Sequence, residues 1–140
     1  MVIVPLITGS IISGVAGVGF DLDADYDPLI GIDVEAQAFD QRPGVYTRFE
    51  FNVDDPTDYE SLLLRMKYDD GFVAYLNGRL VARDNAPETP QWDDTATDNH
   101  EAQAQFSRFD ITTHLEALTA GRNAVAALEL ATRQNQKLRQ

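Results

Sequence analysis

Cysteine is absent from the 140 residues, which excludes disulfide frameworks, thiolate nucleophiles and cysteine-ligated zinc. Basic side chains are scarce. Eleven Lys and Arg stand against 23 Asp and Glu, a formal charge of −12, and taken as a whole such a surface repels phosphate backbones, so nucleic acid is not expected as a partner. Cations, neutral sugars and basic partners remain compatible with it. Nucleophile motifs are also missing: Ser10, Ser13, Ser61 and Ser107 sit in no nucleophile-elbow context. There is no phosphate-cradling glycine loop with its lysine and no dinucleotide fingerprint. The opening MVIVPLITGSIISGVAGVGF is apolar but has no basic flank. It therefore lacks the positive start of a signal peptide. It is also too glycine-rich for a spanning helix, so no membrane insertion is expected. Two short strands are its expected form, the first broken by Pro5 and read as an edge strand or an irregular start.

What is present is an ordinary apolar content, 44%, in a length that suits one domain. The charge is uneven, with no Lys or Arg before Arg42 and twelve carboxylates between residues 21 and 60. Leu29 to Phe39 reads as a short helix or irregular segment. From Val45 the pattern sharpens: Val45, Thr47, Phe49, Phe51 and Val53 alternate with Tyr46, Arg48, Glu50 and Asn52, the period of a half-buried strand. A second strand sets Leu62, Leu64, Met66 and Tyr68 against Leu63, Arg65 and Lys67. Phe72–Leu76 and Arg79–Arg83 flank Asn77-Gly78, the dipeptide of a tight hairpin whose central residues both need positive φ. Ala86 to Ala104 is a long polar loop. Gln105–Ile111 resumes the alternation, Thr112 or Thr113 caps a short helix running to about Leu118, and Asn123–Leu130 is a further strand. These signals predict an all-β chain, an antiparallel β-sandwich with one short helix. Its boundaries are 1–140, with a core over 17–130 and a polar tail over 131–140.

The stretch LRMKYDDGFVAYLNGRLVARDNAPETPQW, from Leu64 to Trp92, together with VYTRFEF before it and DDTATDNH, FDIT and HLEALTAGRNAVA after it, resembles a module of large secreted or surface bacterial proteins. That module is similar to the galactose-binding-domain-like jelly rolls, the architecture of many carbohydrate-binding modules. The resemblance covers roughly residues 17–127, with DDGFVAYLNG its most specific part. It implies a jelly-roll sandwich acting as a carbohydrate-binding accessory module, with a polysaccharide or glycan as partner, in a secreted or cell-surface setting within a larger protein. Both ends depart from the pattern. The strand expected before Gly17 and the closing strand after Ala127 are replaced by other sequence, which leaves a sheet edge to be filled by the N-terminal segment or by a second chain in a homodimer.

Several residues could carry chemistry. Asp21, Asp23, Asp25 and Asp27 alternate in DLDADYD, and such oxygens can converge on calcium. The helix–loop–helix calcium motif itself is absent, because Tyr26 and Ile32 stand where its glycine and bidentate glutamate belong. Without a cation these residues form a solvated acidic loop. Asp93, Asp94, Asp98, His100 and Glu101 place a histidine among carboxylates, which could hold zinc or activate water. The alternative function is thus a small metal-dependent hydrolase of phosphoesters or activated esters, with His100, Asp94 and Asp98 as its catalytic groups; otherwise these side chains stabilise the loop. Calcium is the first cation expected and zinc the second. Asp69 and Asp70 could orient sugar hydroxyls, yet adjacent strand residues point to opposite faces, and the pair equally makes a turn before Gly71. Trp92, Tyr75, Tyr68 and Tyr46 are the sugar-stacking candidates, an aromatic face being suited to the apolar face of a pyranose; Trp92 could equally anchor its loop, and Tyr68, which follows an apolar face, suits core packing.

Overall fold

The computed structural model describes residues 2–5, 11–14, 18–19, 32–33, 44–91, 93–100 and 105–132. Their strands are β1 (Val2–Pro5), β2 (Ile11–Gly14), β3 (Val18–Gly19), β4 (Ile32–Asp33), β5 (Gly44–Val53), β6 (Leu63–Met66), β7 (Gly71–Leu76), β8 (Arg79–Asp84), β9 (Ser107–Asp110) and β10 (Gly121–Leu130). An antiparallel sheet runs in the order β2-β1-β5-β10-β7-β8, and the antiparallel pair β6–β9 packs over one of its faces. This is the expected all-β sandwich. One pairing departs from the antiparallel rule: β3 and β4 run parallel, through Val18–Ile32 and Gly19–Asp33. Ile32 and Asp33 are therefore strand, and the rest of the segment read as a possible helix lies outside the described residues.

The period-2 signal of β5 is realised at its C-terminal end, while Phe49, of the same parity, remains 38% exposed. Phe51 and Val53 enter the core between the sheets, joining Phe72, Ala74 and Leu76 of β7, Val125 of β10, and Leu62, Leu64, Met66 and Phe109 from the β6–β9 side. Phe72 is fully buried. The rings of Tyr68 and Phe109 meet it edge-on, with centroids 4.7 and 5.0 Å away, the arrangement favoured by the aromatic quadrupole. The hairpin forms as read, with φ of 49° at Asn77 and 84° at Gly78. A bulge follows it: Ala74 pairs with Ala82 but Tyr75 with Leu80. The extra residue, Val81, is buried in the core, while Leu80 remains 37% exposed.

Pro5 does not mark a sheet edge. β1 lies between β2 and β5, but its pairing with β5 spans only Val2 and Ile3, so the missing proline N–H falls beyond that ladder. The N-terminal piece thus lies beside β5, as the first of the two alternatives for that edge required. The short helix is a kinked 3-10 segment, Thr112–Ala117, and no threonine hydroxyl caps it. Asp110 instead accepts the Thr112 amide at 2.9 Å, and the Thr112 hydroxyl accepts the Leu62 amide at 3.1 Å, which ties the segment to the start of β6. Among the described residues no helix is long and apolar enough to cross a membrane.

Candidate functional site

The two adjacent aspartates before β7 have separate surroundings. Asp70 is fully buried at φ 75°, a left-handed conformation that Asp tolerates better than most residues. Its carboxylate accepts the Thr132 amide at 2.8 Å and the His100 amide at 3.3 Å. Its own amide donates to the His100 carbonyl, and its carbonyl accepts from the Asn85 side chain at 2.9 Å. Asp70 therefore fastens three segments that are remote in sequence: the β6–β7 turn, the 85–100 connection and the end of β10. Gly71 belongs to the same junction, since a Cβ there would stand 2.5 Å from the Asn85 carbonyl oxygen.

Asp69 acts on another group. Glu129 of β10 lies in one cross-strand row with Val45 and Phe72, on the side of the sheet that faces β6 and β9. Burial, and then the charge of Asp69, push the Glu129 carboxyl up to about 7. Glu129 was not among the residues singled out from sequence. The signal was available, because it shares parity in its strand with Val125 and Ala127.

His100 is oriented by Tyr68. The rings stack at 4.1 Å, nearly parallel, and His100 Nδ1 lies 3.0 Å from the Tyr68 carbonyl. The Tyr68 hydroxyl donates to Asp84, and burial followed by that bond pushes it up to about 12, so it stays a donor. Asp94 accepts the Gln91 amide at 2.7 Å, closing a local turn, and Asp98 accepts the amide of the next residue, Asn99, at 2.8 Å. Among the described residues no group of three or more His, Asp and Glu side chains could hold a metal ion. The remaining expected ligands, Asp21, Asp23, Asp25, Asp27 and Trp92, lie outside the described residues.

Tyr75 is on the opposite face of the large sheet from Glu129. One register row crosses four adjacent strands there: Arg48 on β5, Ala126 on β10, Tyr75 on β7 and Leu80 on β8. Tyr46 lies one row away, opposite Leu128. Tyr46 and Tyr75 are half-buried against Val73, Leu128 and Leu130, beside Ala86 and Ala96 of the 85–100 connection. Burial, then the neighbouring Tyr46, push the Tyr75 hydroxyl up. Glu50, next on β5 and opposite Ala124, pairs with Arg48 and lies 3.9 Å from Arg122. Alanines of β10 separate the larger side chains of β5 from those of β7, two inter-strand spacings apart, about 9–10 Å.

No protein-family model and no curated protein matches the chain. Among solved structures it is similar to an uncultured Clostridium sp. β-glucuronidase, at 21% identity and a TM-score of 0.42 over 64% of this chain and 13% of that one. It is also similar to Bifidobacterium dentium β-glucuronidase complexed with coumarin-3-O-glucuronide, at 21% identity and 0.41 over 63% and 11% of the two chains. A third is the β-D-mannosidase from Dictyoglomus thermophilum, at 17% identity and 0.46 over 76% and 11%. The chain spans only about an eighth or less of the length of these enzymes.

Proposed function

We propose that this chain is a carbohydrate-binding accessory module that takes a neutral glycan over the alanines of β10, between the larger side chains of β5 and β7. The observation that carries the reading is the row Arg48–Ala126–Tyr75–Leu80. Tyr75 and Leu80 offer apolar surface to the C–H face of a pyranose, and small alanines leave room for the ring. Arg48 and Glu50 already pair with each other, so this border is held in place and close to neutral while still able to serve sugar hydroxyls. Ligand contact thereby centres on Tyr75. The visible task of Asp70 is to fasten loops, and Asp69 lies beside Glu129, away from this face. A calcium ion held by Asp21, Asp23, Asp25 and Asp27 is the companion proposal, and the secreted or surface setting within a larger protein follows from the resemblance.

The test is calorimetric titration of the chain with neutral polysaccharides chosen from a glycan array, with and without a calcium chelator. Binding is expected, and Tyr75→Ala should weaken it about tenfold or more, the scale of one lost stacking contact. Chelator should lower the melting temperature if calcium steadies the acidic loop. Failure of every neutral glycan to bind, or an unchanged affinity in Tyr75→Ala, overturns the reading.

A further inference from the structure

The outer surface of β6 and β9, on the far side of the sandwich from Tyr75, is basic where the Tyr75 face is close to neutral. Its register sets Leu63 opposite Asp110 and Arg65 opposite Arg108. Beyond the strand ends the next outward residues, Lys67 and Phe106, meet with the Lys67 ammonium 4.9 Å from the ring centroid. Like charges directly opposed across a sheet are destabilising, and this pair occurs in a chain with more than twice as many acids as bases. Arg48, Arg79, Arg83 and Arg122 each lie within 4.0 Å of a carboxylate. Arg65 and Arg108, both exposed, have no such partner among the described residues. Asp110 shares their face, but its carboxylate is turned to the Thr112 amide. Two apolar side chains also stand open here, Leu63 at 50% and Phe106 at 55% exposure.

We propose that this face is a second binding surface, for an anionic polysaccharide whose carboxylate or sulfate groups bridge Arg65 and Arg108 while a sugar ring lies against Phe106. Directly opposed residues of an antiparallel pair stand about 4.5–5.5 Å apart at Cα, so two guanidinium forks can converge on one oxyanion, the group they bind most tightly. A bridging anion also converts the repulsion between the arginines into attraction. A peptide of acidic residues alone would match the charge but carries no ring for Phe106 to meet, whereas a uronic acid or sulfated pyranose offers both on one unit. This site does not depend on the neutral-glycan reading. It lies on a different face and makes a different electrostatic demand.

The full chain is titrated with polygalacturonate and with sulfated dextran, using dextran as the neutral control and polyglutamate as the acidic-peptide control. Binding of at least one anionic polysaccharide is expected, weakening as salt is raised. The double variant Arg65→Gln/Arg108→Gln should lose about tenfold or more in affinity, and Phe106→Ala should weaken binding further. Tyr75→Ala should leave anionic binding unchanged, so failure at either face is read separately. Because the double variant removes a like-charge pair, its melting temperature without ligand should equal or exceed that of the parent. No binding by either anionic polymer, an unchanged affinity in the double variant, a lowered melting temperature in it, or equal binding of polyglutamate overturns the proposal.

Discussion

Replacing Asp70 by alanine tests the fastening role directly. The substitution removes the acceptor of two backbone amides, those of Thr132 at 2.8 Å and His100 at 3.3 Å, at a residue with no exposed surface. A buried amide left without its partner costs about 1–3 kcal/mol. Alanine must also adopt φ near 75°, adding roughly 1 kcal/mol. The expected loss is therefore about 5 kcal/mol, comparable with the whole stability of many domains, about 5–15 kcal/mol. Asp70→Asn keeps the shape, the tolerance of positive φ and one acceptor oxygen. Its amide nitrogen, however, must face one of the two N–H donors, and the expected cost is about 2 kcal/mol. Urea denaturation followed by circular dichroism gives both numbers, provided that the slope with denaturant is unchanged between variants. Should Asp70→Ala lie within about 1 kcal/mol of the parent, the carboxylate is not holding these segments together and the assignment is wrong.

Two further outcomes follow from the same region. Glu129 has its carboxyl raised from an ordinary 4.5 to about 7 in the folded chain, so the folded state binds the extra proton. Its contribution is neutral below the unfolded value, becomes increasingly destabilising as pH rises through the interval, and levels off above about 7. The limit is about 3 kcal/mol. Glu129→Gln should therefore stabilise the chain at pH 8 and change it little at pH 4, as read from urea midpoints; an equal effect at both values would show that the carboxyl does not titrate in this interval. At Gly71 an added Cβ would meet Asn85 and Asp84 backbone at 2.5 to 3.1 Å, whereas at Gly78, with φ of 84°, it would meet nothing within 4 Å. Gly78→Ala should cost about 1 kcal/mol and Gly71→Ala distinctly more, because backbone cannot give way as a side chain can. Thermal melts that reverse this order would contradict the close approach at Gly71.

Much of the frame is local information. The alternation in Val45–Val53, the outward and inward sets of residues 62–68 and the Asn77-Gly78 reversal each depend on a few neighbouring residues obeying a period of two or a positive φ. These could be read from the chain, and the sandwich follows from them. The capping of Thr112–Ala117 could not, because the Thr112 hydroxyl is engaged by Leu62, 50 residues away. The candidate sites were legible only in part: Tyr75 and Tyr46 were named from sequence, but the register that sets Arg48, Ala126 and Leu80 in one row with Tyr75 was not.

The sequence by itself determined which residues share a face of each strand and where the chain reverses. Only the tertiary structure decided which strands lie side by side, and this is what creates the sites. β10 lies between β5 and β7, which brings Arg48 and Tyr75 to either side of Ala126 and sets Glu129 near Asp69. The pairing of β6 with β9 sets Arg65 against Arg108. A strand's own pattern fixes which of its residues face the core, whereas its neighbours and register are settled by the packing of the whole sheet.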